Sequence, residues 1–150
     1  MSHQGKSYFI SGHIDLSFDD FVKHYKERIQ NIIEKEPQSR FVVGDAPGVD
    51  IQAQRLLMEL LGNDALDRVT IYHIGDAPKN IANPKLKTMG GFPSHTAKDV
   101  AMTQISNEDI AYVRSMEESK ILYGDKFDPK RISGTQRNLE RRNKMNSKKN

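Results

Sequence analysis

The chain has 150 residues, 36% of them hydrophobic and 29% charged, the size and balance of one globular domain with one core. It contains no cysteine, which excludes disulfides, thiolate metal sites and a cysteine nucleophile; no apolar run approaches the ~20 residues that span a bilayer. The formal net charge of +3 is unevenly placed: residues 137–150 carry six basic groups against the single acid Glu140, leaving 17 basic and 19 acidic groups for the rest. A domain over 1–143 and a basic tail over 144–150 are expected. The polar start Met1 to Ser7 lacks the apolar stretch of a signal peptide, so a cytoplasmic protein with no membrane partner is predicted.

Ser7 to Ser11 reads as a first strand ending at Gly12. Ser17 is a suitable N-cap, with Asp20 three residues on. Phe18, Phe21, Val22, Tyr25, Ile29, Ile32 and Ile33 then recur at helical spacing, and Pro37 ends that helix. Arg40 to Gly44 is a short apolar strand. A second helix starts near Gly48, carries Ile51, Leu56, Leu57, Leu60 and Leu61, and stops at Gly62-Asn63. Val69 to Ile74 is a third strand. This alternation predicts right-handed βαβ units. The expected fold is therefore α/β, Rossmann-like and doubly wound: a mostly parallel sheet of four to five strands with helices on both faces.

Gly75 to Ser94, with three prolines and the lysines at 79, 85 and 87, reads as a long loop. A third helix follows to about Ile105, and Asp109 to Arg114 is a fourth strand. Residues 115–132 lose periodicity and are expected to form a hairpin or an edge strand. A last helix opens at Gly134-Thr135 and runs to about Met145.

In such a sheet, ligands bind beyond the carboxyl ends of the strands. Four segments converge there: Ser11-Gly12-His13, Gly44 to Asp50, Gly75-Asp76, and the chain from Arg114 towards Gly134-Thr135. The segment Val42-Val43-Gly44-Asp45-Ala46-Pro47-Gly48-Val49-Asp50 is a strand, a glycine-bounded loop and a helix start. Glycine permits close backbone approach, and free N–H groups at a helix start favour an anion. The same segment also serves as a plain βα turn, with Gly48 relieving strain and Asp50 complementing the helix dipole. It is neither a Walker A loop nor the dinucleotide fingerprint. No His, Asp or Glu set has metal-ligand spacing, and neither metal nor cofactor is expected.

Gly44 to Asp50 followed by Ala53 resembles the G-G-A-x-G-x-D-x-x-A motif of the SLOG superfamily, which includes DNA-processing protein A and lysine decarboxylase-like nucleoside phosphate hydrolases. Lys98-Asp99-x-x-Met102 is similar to its R-[ND]-x-x-M helix, Asn107 to Ala111 to the following strand, and Ser133-Gly134-Thr135 to its G-G-T motif. The resemblance covers most of residues 7–143. It implies a nucleotide-like ligand held by Ser11, Gly12, His13, Gly44, Asp45, Gly48, Asp50, Gly134 and Thr135, a homo-oligomer, and N-glycosidic hydrolysis in the hydrolase branch. That branch has a glutamate three residues after the threonine, where this chain has Asn138. An amide cannot act as a general base, so Asp45, beside the glycine loop, is the candidate catalytic carboxylate. A binding domain without turnover is the equal expectation. The alternative function is a nucleic-acid-binding module that uses the basic tail.

Overall fold

A computed structural model describes residues 5–149. Five parallel strands form one sheet in the order β4-β3-β2-β1-β5. In chain order the elements begin with β1 (Ser7–Ser11) and α1 (Phe18–Phe21), capped by Ser17 Oγ accepting from Asp20 N at 3.2 Å. A π-helical segment (Val22–Lys26) continues into α2 (Glu27–Lys35). Then come β2 (Arg40–Val43), α3 (Val49–Leu61), the short α4 (Ala65–Arg68) and β3 (Val69–Ile74). The chain ends with β4 (Lys87–Phe92), α5 (His95–Ile105), β5 (Glu108–Ala111), α6 (Met116–Tyr123) and α7 (Gly134–Lys149).

Strand alternation sorts the core into two layers. Tyr8 and Ile10 of β1, Phe41 and Val43 of β2, and Val69 and Ile71 of β3 bury against Phe21, Tyr25, Ile29, Leu56 and Leu57 of the helices on one face. Their neighbours Phe9, Val42 and Tyr72 point the other way and meet Met102 of α5. α7 packs beside α5 and against β5 on that second face. The doubly wound, Rossmann-like α/β architecture read from the sequence is thus the observed one, with every strand parallel.

Three segments depart from the sequence reading. The expected loop over Gly75 to Ser94 contains β4. Residues 87–91 (Lys-Thr-Met-Gly-Gly) are all exposed, so no burial pattern announces a strand. Backbone pairing with β3 creates it at the edge of the sheet. Residues 115–132 hold α6 rather than a hairpin or edge strand. Ser115 and Glu118 form a capping box, Glu118 N donating to Ser115 Oγ and Ser115 N to Glu118 Oε1, a local signal that outweighs the missing periodicity. The fourth predicted strand, β5, stops at Ala111 instead of Arg114. Beyond Met145, α7 continues as helix through the segment expected as a tail.

Order reverses between β1 and β5, the position where an open α/β sheet usually has its crevice. Tyr25 occupies it. Its hydroxyl donates to Ser11 O at 2.7 Å and accepts from Tyr112 N at 2.9 Å. The π-helical segment carries Tyr25 to this place; such bulges often accompany special side-chain placement.

Candidate functional site

The β2–α3 loop builds the first wall. Gly48 has φ 77° and ψ −124°, open to glycine but strained for any residue with a Cβ. A Cβ there would collide with the backbone of His13 and Ile14. Val49 N also donates to His13 O at 3.2 Å. The close approach expected of Gly48 is therefore made to the β1–α1 loop. Gly12 is constrained likewise, since a Cβ would strike the Tyr25 hydroxyl and Val49.

Asp45 lies at the expected strand end but is 2% exposed. Its Oδ2 accepts from Lys79 N at 2.8 Å, its Oδ1 lies 3.5 Å from Lys98 Nζ, and its carbonyl accepts from Asn80 Nδ2 at 2.9 Å. Gln54, fully buried on α3, donates to Gly44 O and accepts from Ala82 N. Asp45 and Gln54 together pin the 75–86 loop over the end of β2. Asp50 differs: it is only partly buried, and its Oδ2 accepts from Ala46 N at 3.1 Å. Desolvation pushes its carboxyl up to about 7, reinforced by Asp99 and Asp45 and opposed by the Ala46 N–H and Lys98.

α5 supplies the second wall. Ser94 caps it, with Ala97 N donating to Ser94 Oγ at 3.1 Å. Its first turn presents His95, Lys98 and Asp99. Lys98 is 4% exposed and lies 3.5 Å from His95 Nδ1 as well as from Asp45. A Cβ on Gly44 would sit 2.5 Å from Asp50 Oδ2 and 3.3 Å from Lys98 Nζ. Only glycine leaves room for both groups over the end of β2.

α7 closes the site. Ser133 Oγ accepts from Gln136 N at 3.1 Å and caps its first turn. Thr135 and Asn138, one turn apart, are both buried. Burial raises the proton affinity of Asp99, while hydrogen bonding from Asn138 and the nearby charges of Lys98, Arg141 and His95 oppose that rise. Gly134 has open space where a Cβ would stand.

Ser11 belongs to the same group. Phe9 pairs with Val42 on the α5 face, so two residues on, Ser11 and Gly44 share that face at one level. Ser11 is 6% exposed, and its Oγ has no hydrogen-bond partner among the described residues. A buried hydroxyl without a partner is costly, and this one belongs to the residue beside Gly44; Gln52 Oε1, Thr103 Oγ1, Asp109 Oδ2 and Arg142 Nε are likewise unpartnered among the described residues. His13 lies apart from the group: its Nε2 accepts from Arg114 N at 3.1 Å. Burial, helped by the Arg114 charge, pulls its proton affinity down.

The structure thus brings Gly44, Asp45 and Asp50 together with Lys98, sets Ser11 beside Gly44 on the same face, and turns Gly12, His13 and Gly48 to holding the β1–α1 loop; Gly134 and Thr135 start α7, which packs beside α5. The sequence reading left Lys98 and Asp99 as motif matches and Asn138 as a missing glutamate. The four-residue α5 spacing of His95 and Asp99, with Lys98 beside them, was the available signal for a site wall. No protein-family model, curated protein or solved structure matches this chain.

Proposed function

We propose that the domain binds a nucleotide or nucleotide-derived ligand at the carboxyl ends of β1 and β2, on the face covered by α5 and α7. The observation that carries this reading is the unpartnered, buried Ser11 Oγ beside Gly44, where Lys98 Nζ and Asp50 also converge. The location is at the carboxyl ends of the strands, the edge at which open parallel sheets receive ligands, one strand over from the β1–β5 reversal that Tyr25 fills. The capped first turn of α7, with Thr135 buried in it, adds N–H groups suited to phosphate. The motif resemblance to the SLOG superfamily supports the same ligand class.

Binding is the core of the proposal; N-glycosidic hydrolysis is its extension. Asp45 is engaged by Lys79 N and Lys98, so as a catalytic group it would first have to leave Lys98. A thermal-shift series with nucleoside mono- and diphosphates and ADP-ribose tests binding. A ligand at 100 times its Kd adds ~2.7 kcal/mol, and no shift at millimolar concentration refutes the reading. Release of free base from the stabilising ligand then tests turnover.

A second reading, nucleic-acid binding, is favoured by one observation: α7 exposes Arg137, Lys144 and Lys148 along an intact helix. Removal of residues 144–150 separates the two readings. Loss of single-strand binding with nucleotide shifts retained assigns nucleic acid to α7 alone.

A further inference from the structure

We propose that residues 114–132, which carry α6, are a lid across the carboxyl ends of β1 and β5, latched by Asp15 and able to lift while the sheet stays folded. The inference goes beyond the nucleotide reading and does not depend on it.

No residue of α6 is buried. Met116, Ile121 and Leu122 are 56%, 83% and 51% exposed, so apolar burial, which fastens the other helices to the sheet, contributes little here. Polar contacts hold the segment instead. Asp15, in the loop that leaves β1, accepts from Arg114 Nη1 at 2.8 Å through Oδ1 and from the Tyr123 hydroxyl at 2.7 Å through Oδ2. Its carbonyl accepts from Arg114 Nη2 at 3.3 Å. Arg114 precedes α6 and Tyr123 ends it, so one aspartate grips both ends of the helix. Among the described residues, the other hydrogen bonds to the body involve the stem where the segment leaves β5: Arg114 N donates to His13 Nε2, and the Tyr112 hydroxyl donates to Glu118.

The two sides of the latch differ in burial. The Asp15 side chain is 43% exposed and that of Arg114 only 8%, with the guanidinium 6.0 Å from the centre of the Tyr123 ring. Without Asp15, Arg114 is a nearly buried charge facing no acid, a costly arrangement. Lifting the segment returns Arg114 to water and gives up almost no apolar contact. By contrast, α3 and α5 are anchored by buried Leu56, Leu57 and Met102, so the lid is the part that opens first. Both of its anchor points are chain leaving the carboxyl ends of parallel strands, the edge at which open sheets take ligands. The latch therefore controls access to that edge.

The test is limited trypsin digestion of the whole chain carrying Lys126→Gln, Lys130→Gln and Arg131→Gln, which leaves Lys120 as the single tryptic position between Arg114 and Arg137. Cleavage after Lys120 requires α6 to open; cleavage after Arg55, inside α3, requires the domain to unfold. Lys120 is expected to be cut faster than Arg55. Its rate should change little with urea while the Arg55 rate climbs steeply, because a local opening exposes little surface. Asp15→Ala should accelerate the Lys120 cut by at least about tenfold. Tyr123→Phe, which loses one bond and keeps the ring, should accelerate it about fivefold. Equal rates with equal urea slopes at the two positions overturn the lid. A Lys120 rate that Asp15→Ala leaves unmoved overturns the latch. Should Asp15→Ala fail to fold, Tyr123→Phe takes its place, and an unmoved rate there has the same meaning.

Discussion

Lys98 Nζ lies 3.5 Å from Asp45 Oδ1, and both side chains are almost wholly buried. This pair ties the first turn of α5 to the loop leaving β2, across the carboxyl edge of the sheet. Removing one partner strands the other charge away from water. Lys98→Met is expected to cost about 3–5 kcal/mol, and Asp45→Asn a comparable amount. The double variant should recover a large part of the loss. Urea denaturation of the four proteins in the cycle measures this; strictly additive losses would mean the two charges do not sense each other.

Asp50 makes stability depend on pH with a definite sign. Its carboxyl rises from an ordinary 3.8 to about 7 on folding. The folded state therefore holds the proton more tightly than the unfolded chain, and the stability this gives is present below the ordinary value and lost as pH rises through about 7. Asp50→Asn removes that loss. The variant should melt at least several degrees above wild type at about pH 8 and match it near pH 4. Equal melting temperatures at both pH values would contradict a desolvated Asp50.

Gly48 and Gly62 share almost one backbone conformation, φ 77° and ψ −124° against φ 58° and ψ −132°. Alanine at either pays the strain of that region, about 1–3 kcal/mol. Only at Gly48 does the new Cβ also meet backbone, that of His13 and Ile14; at Gly62 it meets open space. Gly48→Ala should thus be the more destabilising by at least about 1 kcal/mol. Chemical denaturation compares them directly, and equal costs would mean the β1–α1 loop yields freely.

Arg142 separates a structural arginine from the basic end of the chain. It is 7% exposed, and its guanidinium donates to Ser106 O at 2.8 Å and to Asp109 Oδ1 at 3.1 Å. Arg142→Met leaves Asp109 buried without its cation and should cost about 3–5 kcal/mol. Deletion of residues 144–150 should change stability by no more than about 0.5 kcal/mol, the range for surface changes. A nucleic-acid assay on a chain cut after Leu139 would report unfolding instead of lost contacts.

The sequence by itself determined four of the five strands and the helices between them and at the end of the chain, α6 excepted, because those rest on local pattern. Tyr8 and Ile10 alternating with Phe9, the seven-residue apolar stripe from Phe18 to Ile33, and Val42-Val43 leading into Gly44 each state a period that only one element satisfies. It also located the strand-end loops, since glycine and a capping residue mark where a strand hands over to a helix. Tertiary structure decided the rest. β4 exists because β3 offers its backbone edge, and exposed Thr88 and Met89 carry no trace of that. His13, Gly12 and Gly48 became packing residues because the β1–α1 loop folds onto α3, a contact between segments some 35 residues apart. Asp45 became a buried partner of Lys98, and Asp50 the carboxylate with a raised proton affinity, through the docking of α5 over Gly44. Burial and charge pairing act through space between segments distant in sequence, so two aspartates five residues apart read alike in the chain and differ in the fold.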